Sequence, residues 1–215
     1  MITPEEYLCD PCGTAALAFW KESATIVPKH MRIVHERDFL KTYLADYADV
    51  SYFRLLHNLA DIGEPAFPRG FVLREAIMPG DAATLSSLLS ACYEGSVLTA
   101  ENVIGFTHSP AYAPTLWLLL FDEAGVLCGA GLADYDANMR EGILEWIQIL
   151  PSFRGKGVGK AIVNELLMRL CACGARFATV SGRKHNPTNP EALYRACGFT
   201  GSDTWHVMTK KESHS

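Results

Sequence analysis

The amino-acid sequence predicts an α/β (α+β) fold: a mixed, mostly antiparallel sheet flanked by helices and preceded by a helical extension. Three observations carry this. Two strand-length apolar runs, Leu116 to Asp122 and Val126 to Tyr135, are joined by Glu123-Ala124-Gly125, a hairpin-length loop with glycine, so the two should pair antiparallel. A third run, Gly142 to Leu150, leads into a glycine-rich turn, a helix to about Cys173 and a further strand, Phe177 to Ser181. Before Gly63, apolar residues recur at three- and four-residue spacing, the stripe of amphipathic helices.

Taken in order, Thr3-Pro4-Glu5-Glu6 starts a helix, with Thr3 as N-cap, Pro4 at the first helical position and Glu6 closing a capping box. Asp10-Pro11-Cys12-Gly13 stops it early. Phe39, Leu40, Tyr43, Leu44 and Tyr47, then Phe53, Leu56 and Leu59, extend the helical reading over residues 1–69, and their aromatic stripe is expected to pack on the sheet. The Pro/Gly-rich stretch Gly63 to Gly70 then links this extension to a second unit, residues 70–215. Phe71 to Ala76 reads as a strand. Pro79-Gly80-Asp81 caps a helix carrying Leu85, Leu88, Leu89 and Cys92 on one face, and Thr99 to Phe106 is a shorter helix. A short helix from Asn189 and closing strands around Phe199 and Trp205 to Thr209 complete the chain.

Composition narrows the function. With 215 residues, 49% apolar and 20% charged, the chain can close a core without disulfides or metal. The start, MITPEEYLCD, is not a secretory signal, and no apolar run approaches the ~18 residues of a membrane span, so a soluble cytoplasmic protein without a membrane partner is expected. A net charge of −5 argues against nucleic acid as a partner, which requires a basic footprint. Seven scattered cysteines suit a reducing compartment. Neither Cys9-Asp-Pro-Cys12 nor Cys171-Ala-Cys173 has a histidine at ligand spacing, so no metal site is expected.

The chemistry lies between Leu144 and Ala161, where Gly155, Gly157 and Gly159 alternate with Lys156 and Val158 ahead of a helix. Side-chain-free positions bring backbone N–H groups close to a ligand, and the helix adds the positive end of its dipole, a combination that suits an anion such as a pyrophosphate. Arg154, Lys156 and Lys160 supply local positive charge in an otherwise acidic chain. Two other phosphate loops fail on spacing. Lys160 is followed by Ala161 where a Walker loop needs Ser or Thr, and these glycines are not spaced Gly-x-Gly-x-x-Gly.

The segment resembles the acetyl-CoA signature of the GNAT superfamily, Arg/Gln-x-x-Gly-x-Gly/Ala, through Arg154, Gly157 and Gly159. A second block, Asn189 to Phe199, resembles the same superfamily's Asn, Leu-Tyr, Gly-Phe pattern through Asn189, Leu193-Tyr194 and Gly198-Phe199. The likeness spans about Phe71 to Lys210. It implies acetyl-CoA as cofactor, with Ile149 and Leu150 touching pantetheine in a gap between two splayed strands. The amides of Gly155, Lys156, Gly157, Val158, Gly159 and Lys160 would then hold the pyrophosphate. Asn189 would contact the cofactor or simply cap its helix.

The resemblance also implies direct acetyl transfer to a primary amine in a ternary complex. Tyr194 is then the acid that meets the departing thiolate. Glu145, on a strand face shared with Ile143 and Ile147, is the candidate base, its pKa raised by burial. Asp134, Tyr135 and Asp136 are alternative bases or substrate contacts, and His108 falls in a loop near the acceptor's expected entrance. The rival reading is a non-catalytic acyl-CoA-binding or regulatory module on the same fold. The acceptor, a small molecule or peptide amine, and the oligomeric state, a homodimer included, are left open.

Overall fold

A computed structural model describes residues 2–92 and 98–211. One eight-stranded sheet organises them. In chain order its strands are β1 (Met31–His35), β2 (Tyr47–His57), β3 (Phe71–Glu75), β4 (Tyr112–Asp122), β5 (Leu127–Asp136), β6 (Glu141–Ile149), β7 (Phe177–Arg183) and β8 (Thr200–Lys210). In space they run β1-β8-β2-β7-β6-β5-β4-β3. All neighbours are antiparallel except β6 and β7. The helices are α1 (Pro4–Cys9), α2 (Pro11–Thr14), α3 (Phe19–Ala24), α4 (Ala82–Cys92), α5 (Ala100–Phe106), α6 (Val158–Ala172) and α7 (Pro190–Ala196). The mixed, mostly antiparallel sheet flanked by helices is the fold class expected, and the β4–β5 hairpin turns at Gly125 with φ 77°.

The N-terminal third departs from expectation. Residues 39–59 are not amphipathic helices: two short 3-10 turns, Glu36–Asp38 and Lys41–Ala45, lead into β2, an eleven-residue strand. The physical reason is its neighbours. β2 lies between β7 and β8, and its inner stretch, Phe53 to Leu55, is buried on both faces, so the local apolar spacing is overruled by two long hydrogen-bonded ladders. Only α1, α2 and α3 are helical here, and α1 carries the predicted Thr3–Glu6 capping box. Asp10 both ends α1 and caps α2, its carboxylate accepting from the Gly13 amide at 2.9 Å.

Strand alternation sorts the core into two layers. Along β4, Leu116, Leu118 and Leu120 face a cluster with Ile162, Leu166 and Leu170 of α6, while Trp117 and Leu119 face Leu85, Leu88 and Leu89 of α4 and Val103 of α5. The closing helices thus lie one pair on each face.

A buried polar knot fastens α1 to the sheet. Glu141 of β6 is fully buried and accepts from Tyr7 Oη at 2.8 and 2.9 Å and from Thr179 Oγ1 at 2.6 Å, with Arg54 Nη2 at 3.5 Å. Arg54 Nη2 also donates to Tyr7 Oη at 2.9 Å, so the guanidinium of β2 bridges α1, β6 and β7. Burial pushes the Glu141 carboxyl up, and the Arg54 charge works against that.

Candidate active site

The parallel ladder between β6 and β7 is short. It begins at Glu141↔Phe177 and ends at Leu144↔Val180, although β6 continues to Ile149 and β7 to Arg183. Past that point the two strands form a fork whose facing backbone groups have no ladder partner across the gap. Ile149 and Leu150 end the β6 branch, Ile149 packing toward α6 and Leu150 toward α4.

The β6 branch leads directly to the glycine turn. Gly155 (φ 73°) and Gly157 (φ 81°) occupy the left-handed region, where a side chain is strained, and Gly157 is the N-cap of α6. A Cβ at either would meet nothing within 4 Å, so conformation rather than internal crowding asks for glycine, and space outside the turn stays open. Gly157 offers α6 no side-chain cap, leaving the first amides of a fifteen-residue helix free to face an anion. Arg154, Lys156 and Lys160 are exposed around the turn. The Arg154 Nε–H donates to the Ile149 carbonyl at 2.9 Å, and the Lys156 ammonium lies 4.9 Å from the Phe153 ring centroid. Val158 is buried in the core, and Gly159 faces Leu193 and Ile149.

On the α4/α5 face, a pocket of about 460 Å³ opens against the first residues of the fork. Its floor is a cross-strand row in which Leu132 of β5 pairs with Trp117 of β4 on one side and Trp146 of β6 on the other. Phe106 at the end of α5 stacks on Trp146, with centroids 6.5 Å apart. His108 is among the residues lining the pocket, and α3 closes a further wall with Trp20 and Lys21.

Two carboxylates enter this pocket. The β5–β6 register shifts between Leu132↔Trp146 and Ala133↔Leu144, which makes Glu145 the extra residue of a bulge. Glu145 and Trp146 therefore both line the pocket, while Ile147 packs on the opposite face with α6. The expected face shared by Glu145 and Ile147 is thus corrected, because a bulge breaks two-residue alternation. The Glu145 carboxylate is met by Lys21 Nζ at 2.5 Å. The second carboxylate, Asp134, is 7% exposed, and burial foremost, with the Glu145 charge behind it and Lys21 opposing, pushes its pKa up to about 7.

Tyr194 is buried in the α6-side core, its ring 5.7 Å from Phe199 and 6.2 Å from Phe53. Phe53 stands opposite Gly182, on the β7 branch, so Tyr194 flanks the fork from that side. Asn189 is the N-cap of α7 in a left-handed conformation (φ 47°), its side chain accepting from the Ala192 amide at 3.4 Å. Its capping role is thus realised. Sequence reasoning missed Trp20, Lys21, Trp117 and Trp146 as pocket residues. The residues of α3 gave no periodic signal, while Trp117 and Trp146 sit within runs read only as strands.

Cys9 and Cys12 are free thiols, exposed and buried respectively, and among the described residues no group of His, Cys, Asp and Glu is placed to hold a metal ion. Among the same residues no helix is long and apolar enough to cross a membrane.

Residues 113–201, from β4 to the start of β8, match the family model described as an acetyltransferase (GNAT) domain. A mycothiol acetyltransferase of Streptomyces griseus is 27% identical over 197 residues, covering 86% of this chain and 63% of the relative. A GCN5-related N-acetyltransferase of Sphaerobacter thermophilus superposes with TM-score 0.71 at 20% identity, over 86% of this chain and 61% of that one. A GCN5-related N-acetyltransferase of Kribbella flavida follows at TM-score 0.61 and 15% identity, over 86% and 69%. The chain thus spans a little over three fifths of the length of the first two relatives. The stretch from β4 to the start of β8, which holds the fork's β6 branch, the glycine turn and α7, is thus the part of the chain that is similar to a GNAT acetyltransferase domain.

Proposed function

We propose that the protein transfers an acetyl group from acetyl-CoA to a primary amine by direct attack in a ternary complex. The observation that carries this reading is the fork. A β6–β7 gap opening after Leu144↔Val180 runs into a glycine-capped helix at one end and borders an acid-bearing pocket on one face. The residues present fit the cofactor: the unpaired strand edges suit an amide-bearing pantetheine arm, with Ile149 and Leu150 beside it. The amides from Gly155 to Lys160, with Arg154, Lys156 and Lys160 around them, suit the pyrophosphate. Asn189, at the N-cap of α7, is the further residue assigned to the cofactor. Acetyl-CoA supplies an activated acyl carbon and a thiolate leaving group.

The chain's own residues then have three tasks. An alkylammonium of pKa ~10.4 is a free base in only about one molecule per thousand at neutral pH, so its proton must be taken. Asp134, with a pKa of about 7, takes it, while Glu145, paired with Lys21, holds charge beside it and completes the acidic end of the pocket. Tyr194 donates its phenolic proton to the leaving sulfur, and the apolar walls keep competing water out.

The test is release of free CoA, followed with a thiol reagent, over a panel of primary amines with the wild type and Tyr194→Phe. At least one amine should raise release above background hydrolysis, and the variant should lose about 100- to 10,000-fold in kcat, in keeping with loss of a general acid. Absence of release with every amine, alongside tight acetyl-CoA binding, would favour a binding module instead.

A further inference from the structure

We propose that the acceptor is an arylalkylamine: one primary ammonium joined by two or three carbons to a flat apolar ring. This rests on the transferase reading above and adds the chemistry of the pocket itself. Its polar and apolar features are segregated along β5. Leu132 stands in the row between Trp117 and Trp146, and two residues on, Asp134 pairs with Tyr112 and Ile143. Two residues of extended strand span about 6.7 Å, the separation of an amine from a ring at the end of a short carbon chain. An ammonium at Asp134 therefore puts the ring over the tryptophan row.

The pocket already displays how it holds a primary ammonium. Lys21 Nζ sits 2.5 Å from a Glu145 carboxylate oxygen and 5.3 Å from the centroid of the Trp20 ring, an acid and an aromatic face together. Because Lys21 neutralises Glu145, Asp134 is left as a single carboxylate for a single ammonium. A polyamine would need acids spaced along its length, and an amino sugar would need donors and acceptors around each hydroxyl. Beyond the acids and Lys21, the polar side chains here are only His108 and Ser109, side by side in one loop, while the larger part of the wall is Trp20, Phe106, Trp117, Leu132 and Trp146. A volume of about 460 Å³ suits one or two rings.

Three of the chain's four tryptophans line the pocket, so intrinsic fluorescence reports its occupancy. The protein is titrated with phenethylamine, spermidine, glucosamine and, as an uncharged analogue, phenethyl alcohol; acetyl-CoA binding is measured by calorimetry in parallel. Phenethylamine should half-saturate at a concentration at least about tenfold below each of the others, a difference of about 1.4 kcal/mol. Trp117→Ala should weaken phenethylamine about tenfold and leave spermidine unchanged, but the wild-type ranking alone decides the matter if that variant does not fold. Spermidine or glucosamine saturating at an equal or lower concentration, with acetyl-CoA bound, overturns the arylalkylamine proposal alone. Selective binding of phenethylamine with no affinity for acetyl-CoA upholds it as a pocket and overturns the transferase reading.

Discussion

Replacing Asp134 with asparagine should make the protein more stable and less active, and the stability gain should depend on pH in a specified way. The side chain is 7% exposed, and its carboxyl is pushed from an ordinary 3.8 to about 7, chiefly by burial. A folded-state pKa above the unfolded one means that the folded protein holds its proton longer. Stability from this group is therefore fully present below pH 3.8, lost steadily as pH rises through the window from 3.8 to about 7, and flat above it. At about 1.36 kcal/mol per pH unit the gap sets a ceiling of about 4 kcal/mol, and local relaxation around a carboxylate at a pocket wall trims it to about 2 kcal/mol. For a chain of this length that is a rise in Tm of roughly 4–8 °C. Thermal unfolding of the wild type and Asp134→Asn, followed by circular dichroism from pH 4 to pH 8, reads the difference directly. The asparagine variant should be the more stable above pH 7, with the gap closing as pH falls toward 4. A gap of either sign that does not move with pH would refute the assignment of a buried carboxylate of raised pKa, and a variant with undiminished acetyl transfer would refute its role as base.

Two further outcomes follow from the geometry. Gly157→Asp places a branched anion at φ 81° on the N-cap of α6, so acetyl-CoA affinity by calorimetry should fall beyond detection. Left-handed strain should lower folding stability by only about 1 kcal/mol, and unchanged affinity would contradict the pyrophosphate site. Arg54→Met strands the fully buried Glu141 and should destabilise by about 3–5 kcal/mol in urea unfolding, whereas adding Glu141→Leu should recover much of that loss; a small effect of the single substitution would mean that Tyr7 and Thr179 suffice to hold the carboxylate.

Much of this architecture was legible because local chemistry and tertiary structure agree over most elements. The β4–β5 hairpin, the helix after the glycine turn and the capping box at Thr3 are each specified within a few residues, by turn glycine or by side-chain oxygen. What escaped depends on distant chain. β2 became a strand because β7 and β8, more than a hundred residues away, offered it ladders on both edges, and no local spacing encodes that. The bulge at Glu145 likewise arises from register with β5, so alternation counted along β6 alone put Ile147 on the wrong face. That Asp134 is the more buried of the two pocket acids was not legible either, since its wall is completed by Trp20 and Lys21, more than a hundred residues away in sequence.

The placement of β2 also bears on how the molecule comes into being on the ribosome. Its partners β7 and β8 lie at residues 177–210, and contacts such as Leu56↔Thr200 close very long loops. A nascent chain that has not reached β8 carries β2 with a bare edge, an invitation to pair with the wrong neighbour. Maturation of the site thereby waits for β8 to be made, since Phe53, which backs Tyr194, settles only when that strand arrives beside it.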